Sequence, residues 1–380
     1  MNYPKVKRNV LLNPGPATTT DTVKYAQVVP DICPREKEFG KIMKDMGEDL
    51  VKIAHGDLNK YTAVLFTGSG TINIDSTVSS LVPEGKKILI VDNGAYSGRA
   101  AEVAQYYHMD YIDLKLPITE PADVSKVEEA LRAAQGEVAV VYCCHHETGT
   151  GVLNPIREIG AAAHKYNCTM VVDTTSTYAM IPIDMDRDNL DFIMASAQKG
   201  LMSMTGLSFV IGNTAKIEES KNFPTRSYYT NLYMQYHFIK EKGEMHFTPP
   251  VQTVYATRQA IKEYWEVGEQ AKWERHQSLW EAIYVGLDKL GFRTIIPREQ
   301  QSRLVVSVLY PDDPNFNYEQ IHDYCYERGF IIYPGKVADL PTFRLCCLGT
   351  IVPKDIEDFF VVLEEALRKY NVQIPCRYND

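Results

Sequence analysis

The 380-residue chain sets 40 Lys and Arg against 49 Asp and Glu, and its formal net charge of -9 speaks against nucleic acid as a partner, because phosphate backbones call for a basic face. A hydrophobic share of 45% and a charged share of 23% belong to an ordinary soluble globular protein long enough for about two domains. No apolar run reaches membrane-spanning length and residues 1–8 lack the apolar centre of a signal peptide, so a cytoplasmic protein without a membrane partner is expected.

In chain order, residues 1–20 are rich in Pro, Gly and Thr and read as an extended arm. A helix is expected over 36–55. From Tyr61 to about Asn213 short apolar strands alternate with helical stretches. Strands are expected at 63–66, 87–91, 107–114, 138–143, 170–173, 192–195 and 208–211, and helices at 71–81, 99–106, 124–133 and 156–166. Continuous Val/Ile-rich runs separated by helices mean a mostly parallel, seven-stranded α/β sheet covered on both faces. Residues 251–290 form a long helical stretch broken near Gly268. Beyond it, strands at 292–296, 303–310, 330–333 and 343–348 and helices at 318–328 and 354–369 read as a smaller α+β unit. The expected organisation is an arm (1–20), a large domain (21–265) and a small C-terminal domain (266–380). The tail after Tyr370 shows few order signals.

The eight cysteines do not read as disulfides. Cys143-Cys144 and Cys346-Cys347 are adjacent pairs within apolar runs, where cysteine acts as a small buried hydrophobe. No Cys-x-x-Cys pair offers a metal framework, and the rings of His145 and His146 would face opposite sides of a strand. A reduced, metal-free protein is expected.

Three features stand at expected strand ends, where open α/β sheets place their ligands. Phe66-Thr-Gly-Ser-Gly-Thr71 is a strand-to-helix turn in which Gly68 and Gly70 let backbone N–H groups approach an anion; a merely tight turn is the plainer alternative. Asp173 closes the run Thr169-Met-Val-Val and is followed by Thr174-Thr-Ser-Thr177; taken alone it is equally an ordinary cap. Lys199 follows the apolar run beginning at Phe192. A lysine at a strand end can snorkel to solvent, but no other charge lies between Phe192 and Gly206, which points to a desolvated amine available as a nucleophile. An amine, a carboxylate and a phosphate cradle in one crevice point to an enzyme.

At these residues the sequence resembles the fold-type I, pyridoxal-phosphate-dependent aminotransferases, in the branch that includes alanine–glyoxylate aminotransferase. The resemblance runs in order through Asn13-Pro-Gly-Pro16, Asp31-Ile-Cys-Pro-Arg-Glu36, Gly68-Ser-Gly-Thr71, Asn93-Gly-Ala-Tyr96, Glu147-Thr148, Gly151-Val-Leu-Asn-Pro155, Asp173, Gln198-Lys199, Phe247-Thr-Pro-Pro250 and Arg344. It implies a large domain with a mostly parallel seven-stranded sheet, a smaller α+β domain, and pyridoxal 5'-phosphate as cofactor. By the resemblance, Lys199 is the lysine that binds the cofactor covalently and moves the substrate proton, and Asp173 pairs with the pyridine nitrogen. Tyr96 stacks on the ring, Thr148 bonds its 3′-oxygen, and Ser69, Gly70, Thr71 and Gln198 hold the phosphate. Thr248 reaches that phosphate from a neighbouring subunit, which implies a homodimer with composite sites. Arg344 binds the substrate's anionic group. The Cys33-Pro-Arg-Glu36 and Phe247-Thr-Pro-Pro250 stretches favour members acting on 2-aminoethylphosphonate and pyruvate. Gln198 before the lysine follows the alanine–glyoxylate pattern instead, and keeps alanine, serine or phosphonoalanine open as donors with glyoxylate or a keto acid as acceptor. A cysteine desulfurase is the alternative within the fold, but Cys325, Cys346 and Cys347 lie in expected structured elements, away from the mobile loop such a reaction needs.

Overall fold

Seven strands build the larger sheet: β1 (Tyr61–Thr67), β2 (Lys87–Asp92), β3 (Tyr111–Lys115), β4 (Val138–Cys144), β5 (Thr169–Asp173), β6 (Phe192–Ser196) and β7 (Leu207–Asn213). The computed structural model describes residues 4–335, 337 and 340–379. The strand order is β1-β7-β6-β5-β4-β2-β3, with β7 antiparallel to both its neighbours and the other pairs parallel. All five residues of β6 are buried, as a strand covered on both faces requires. One face packs on the helices Lys37–Ile53, Ile156–Lys165 and Val251–Val267, through Phe39, Leu50, Ile159 and Ile261. The other packs on Thr71–Leu81, Gly98–Tyr106 and Leu232–Lys242, through Ile74, Val78, Ala104 and Leu232.

A separate core gathers around β8 (Val305–Leu309), β9 (Tyr333–Pro334) and β10 (Thr342–Cys346), an antiparallel sheet of order β8-β10-β9. Leu279, Ile283, Ile356, Phe359 and Leu363 of the helices Glu269–Leu290 and Pro353–Lys369 fill it. The arm belongs to this core: Val10–Leu11 pairs in parallel with Phe330–Ile331, and Val10 and Leu12 are buried among its side chains.

Several boundaries differ from expectation. Residues 107–110 are not strand: Tyr107 caps the helix Gly98–Tyr106, His108 turns at φ 52°, and the strand begins at Tyr111. Residues 292–296 form no named strand; Thr294 makes an isolated bridge to Val308, and Ile295 N donates to Ser307 O at 3.1 Å. The helix Leu232–Lys242 was not foreseen, although Asn231 caps it by accepting from Met234 N and Gly243 ends it at φ 68°. The tail after Tyr370 is held, with Val372 and Cys376 buried and Cys376 N donating to Leu290 O at 2.8 Å. The break at Gly268 falls where expected, between Val251–Val267 and Glu269–Leu290. Among the described residues no helix is long and apolar enough to cross a membrane.

The two long helices of the C-terminal core meet at Gly286, whose missing side chain makes room for the ring of Phe360. A Gly286→Ala substitution forces that ring aside and should destabilise the protein by about 1–3 kcal/mol, the usual cost of overpacking a filled core. Thermal unfolding followed by circular dichroism checks this; an unchanged midpoint counts against the packing described.

Candidate active site

Adjacency of β5 and β6 decides where the chemistry lies. Asp173 ends β5 opposite Met194 of β6, and β6 runs on through Ala197 and Gln198 to Lys199. Asp173 is 5% exposed; its Oδ1 accepts from Thr175 N at 2.8 Å, and no Lys, Arg or His among the described residues lies within ion-pair distance. Burial pushes its carboxyl pKa up, while the Thr175 hydrogen bonds and the charges of Arg99 and Lys199 pull the other way. Lys199 is only partly accessible, and desolvation lowers its amine from the ordinary 10.5; Tyr96, Cys346 and Asp173 oppose that shift and Arg344 adds to it. Burial therefore acts on the two groups in opposite senses, each toward its neutral form.

The arm closes over the lysine. Lys199 Nζ donates to the carbonyl of Pro14, and Ala17 N donates to Gln198 O at 3.0 Å. Gly15, at φ 121°, lies so near that a Cβ there would sit 2.5 Å from Lys199 Cδ. Only glycine fits both the backbone angle and the space.

The Gly68–Thr71 turn stands at the mouth. Gly68 is fixed by its N–H on Gly206 O at 3.0 Å and by Ser208 Oγ on its carbonyl at 2.9 Å. The helix Thr71–Leu81 begins there, and the N–H groups of Ser69, Gly70 and Thr71 have no acceptor among the described residues, the usual state of a helix start. A Cβ on Gly70 would lie 3.2 Å from Thr175 Cγ2 and 3.6 Å from Ser196 Oγ, which places the turn over the ends of β5 and β6.

Arg344 comes from the small sheet, opposite Ser307 and Tyr333. It is 1% exposed and spends its donors on carbonyls: Nε and Nη2 on Pro334 O at 3.1 and 3.0 Å, and Nη1 on Thr148 O at 3.1 Å. No carboxylate among the described residues lies within ion-pair distance of this buried cation. The Nη1 bond sets Thr148 beside it, and the Thr148 hydroxyl is buried without a partner, as are Gln198 Oε1 and Ser196 Oγ.

Of the residues singled out from the sequence, Lys199, Asp173, Tyr96, Thr148, Gln198, Arg344 and the Ser69–Thr71 turn gather in one crevice. Thr248 does not join them: it is exposed, and its carbonyl accepts from Thr67 Oγ1 at 3.2 Å. Two further residues belong to the site. Arg99 Nη1 donates to Thr71 Oγ1 at 3.1 Å, and its guanidinium carbon lies 5.3 Å from the centre of the Tyr96 ring. A cation in the first turn of the helix Gly98–Tyr106 opposes the helix dipole, a signal in the sequence that it serves something outside the helix. Glu147 is fully buried; its Oε1 accepts from Ser97 N at 2.7 Å and its Oε2 from Tyr96 N at 3.1 Å. It thereby fixes the turn carrying Tyr96, and burial raises its carboxyl pKa.

These features fit pyridoxal phosphate. A buried carboxylate without a cation suits a protonated pyridine nitrogen, free N–H groups at a helix start suit a phosphate, and a desolvated amine suits an imine. Fold and site together define a fold-type I, pyridoxal-phosphate-dependent transferase. The family model for class-V aminotransferases matches residues 20–349, and the chain belongs to that family. It is 32% identical over 362 residues to a bifunctional phosphonoacetaldehyde hydrolase/aminoethylphosphonate transaminase of Clostridioides difficile, covering 95% of this chain but only 56% of that longer protein. It is 34% identical over 357 residues to a 2-aminoethylphosphonate–pyruvate transaminase of Lysinibacillus sphaericus, covering 93% of this chain and 96% of the relative. Among solved structures, alanine–glyoxylate aminotransferase of Nostoc sp. superposes with a TM-score of 0.88 at 22% identity, over 97% of each chain. The protein is a pyridoxal-phosphate-dependent aminotransferase.

The three cysteines weighed for desulfurase chemistry do not suit it. Cys325, Cys346 and Cys347 are buried, and burial pushes the first two up to about 12.

Replacing Glu147 by Ala strands the N–H groups of Tyr96 and Ser97 in the interior, and each unsatisfied donor costs about 1–3 kcal/mol. The expected result is a lower thermal midpoint, with Glu147→Gln, which keeps one acceptor oxygen, falling between the variant and the parent. Equal midpoints for all three proteins would contradict the role given to this carboxylate.

Proposed function

We propose that the protein exchanges an amino group between 2-aminoethylphosphonate and pyruvate, giving phosphonoacetaldehyde and alanine, reversibly. The observation that carries the reading is Arg344, a buried cation whose charge no carboxylate among the described residues answers, beside the lowered amine of Lys199. Such a guanidinium gains most from a bidentate anion, and the substrates named for the relatives, a phosphonate and a carboxylate, both supply one. Gln198 favours the second reading, alanine, serine or phosphonoalanine as donor with glyoxylate or a keto acid as acceptor.

When bound, pyridoxal phosphate supplies an electron sink conjugated to the amine-bearing carbon of the donor. Asp173 would pair with the pyridine nitrogen and keep it protonated. Ser69, Gly70, Thr71 and Gln198 would hold the phosphate, Tyr96 would cover the ring, and Thr148 would bond the ring oxygen. Arg344 orients the donor by its anionic end. Lys199 Nζ removes the proton at the amine-bearing carbon and, in the return half-reaction, restores it to the keto acid's carbon. Its lowered pKa leaves more of the amine neutral near pH 8 than an ordinary lysine has, because a base is neutral above its pKa.

We further propose a homodimer in which Thr248 of one copy meets the phosphate of the other. Its exposure supports this, as does the surface cluster beside it: Tyr229 stacks on Phe247 at 4.5 Å, and Tyr228 is 78% exposed. Residues 21–265 and 266–380 act as the two domains, in keeping with their separate cores. Eight cysteines without a disulfide suit a cytoplasmic location.

Mixing the cofactor-free protein with pyridoxal phosphate should raise a visible absorption that borohydride bleaches while fixing the cofactor to the chain, and Lys199→Ala should abolish the fixation. The rate of capture should climb with pH and reach half its plateau below pH 10.5, since only the neutral amine attacks. A half-point at or above that pH would show an ordinary, solvated lysine. For the substrate, the visible band should bleach with 2-aminoethylphosphonate more readily than with alanine, serine or phosphonoalanine; a response to those three alone transfers the assignment to the second reading. Arg344→Leu should raise KM for the phosphonate about 100-fold, the loss of two charge-assisted hydrogen bonds.

A further inference from the structure

The carbonyls of Gln198, Lys199 and Gly200 are each held by a different part of the molecule. Gln198 O accepts from Ala17 N of the arm at 3.0 Å, and Lys199 O from Met202 N within the turn at 2.9 Å. Gly200 O accepts from the Nζ of Lys272, a lysine 4% exposed and one turn into the helix Glu269–Leu290. No side chain fits at Gly200, because a Cβ there would collide with the carbonyl oxygen of Tyr178.

Lys272 is an expensive residue in this place. Among the described residues no carboxylate lies within ion-pair distance of its ammonium. Its Nζ lies 5.0 Å from the centre of the Tyr264 ring, which belongs to the preceding helix across the Gly268 break. The ammonium therefore bridges three things: the last turn before the break, the first turn after it, and the residue next to Lys199.

We propose that Lys272 is a positioning residue for Lys199, fixing the lysine-bearing turn to the junction between the two long helices through Gly200 O. Two carbonyls flanking Lys199 on either side are thus tied to elements outside the sheet, and the direction of the amine follows from both. Burial, with the positive charge of Arg275 adding to it, brings the Lys272 pKa down to about 7. The other titratable groups around it are His276 on its own helix, which burial keeps neutral, and Tyr264, whose phenol burial and Glu269 hold in the protonated form. Loss of the ammonium as pH rises through this range weakens the Gly200 bond, so the set of Lys199 should change near neutrality.

The inference rests on Lys199 as the cofactor lysine, and Lys199→Ala with borohydride tests that separately. For Lys272 the variants are Lys272→Met, which keeps the stem and removes the donor, and Lys272→Gln, which keeps a donor that does not titrate. The readouts on the holoenzyme are kcat, KM and the pH at which the visible absorption of the bound cofactor changes. Lys272→Met should lower kcat about tenfold with KM within twofold and move the absorption midpoint by half a pH unit or more. Lys272→Gln should recover part of kcat while showing no step in kcat near pH 7. A Lys272→Met holoenzyme with the parent's absorption midpoint and kcat profile from pH 6 to 9 overturns the proposal. If Lys272→Met does not fold, a Lys272→Gln protein that retains the step near pH 7 overturns it equally.

Discussion

Two groups of opposite charge, an aspartate and a lysine, are drawn out of water at the ends of neighbouring strands, and neither meets a counter-ion at ion-pair distance among the described residues. Both are shifted toward neutrality, Asp173 upward and Lys199 downward, because the crevice favours uncharged forms. A ring that brings a protonated nitrogen to one and a carbonyl carbon to the other relieves both at once. The desolvated pair thus makes the site specific for a flat, bifunctional cofactor before any substrate is considered, and the remaining features serve to keep the two groups in place.

The places held are built from sequence-distant parts. Asp173 ends β5 and Lys199 follows β6, the Gly68–Thr71 turn follows β1, and the Arg344 guanidinium comes from β10 in the smaller sheet. Arg344 reaches across to the carbonyl of Thr148, just past β4, at 3.1 Å, and Ser307 Oγ of β8 donates to the neighbouring Gly149 O at 2.7 Å, so the small sheet is tied to the segment that follows β4. Motion of one unit against the other would change the distance between anion site and amine. That geometry suits an enzyme that must admit two different substrates in turn.

Much of this was legible in the sequence, for physical reasons. Strands such as Phe192–Ser196 announce themselves because both faces are buried and every position is apolar or small. Direction is not written in such a run: β7 reads like its neighbours yet runs antiparallel, since an apolar segment looks the same from either end. Tyr107 and Tyr111 have equal β-propensity, but the first caps a helix and gives its hydroxyl to Asp75, a tertiary bond that local preference cannot see. Lys199 and Asp173 were visible as isolated charges at the ends of apolar runs. Glu147 carried the same kind of signal yet drew no role, because its partners are backbone N–H groups fifty residues upstream. Lys272 sits on a helix that looks amphipathic and gave no sign of being buried.

The arm has a further meaning for how the protein comes into being. Val10–Leu11 finds its strand partner at Phe330–Ile331, and Arg8 pairs with Asp355, 347 residues away. A chain leaving the ribosome makes Pro14 long before Phe330–Ile331, the strand that anchors its arm. The strands that bring Asp173 and Lys199 side by side are made before that anchor, so the amine precedes the pairing that secures its cover.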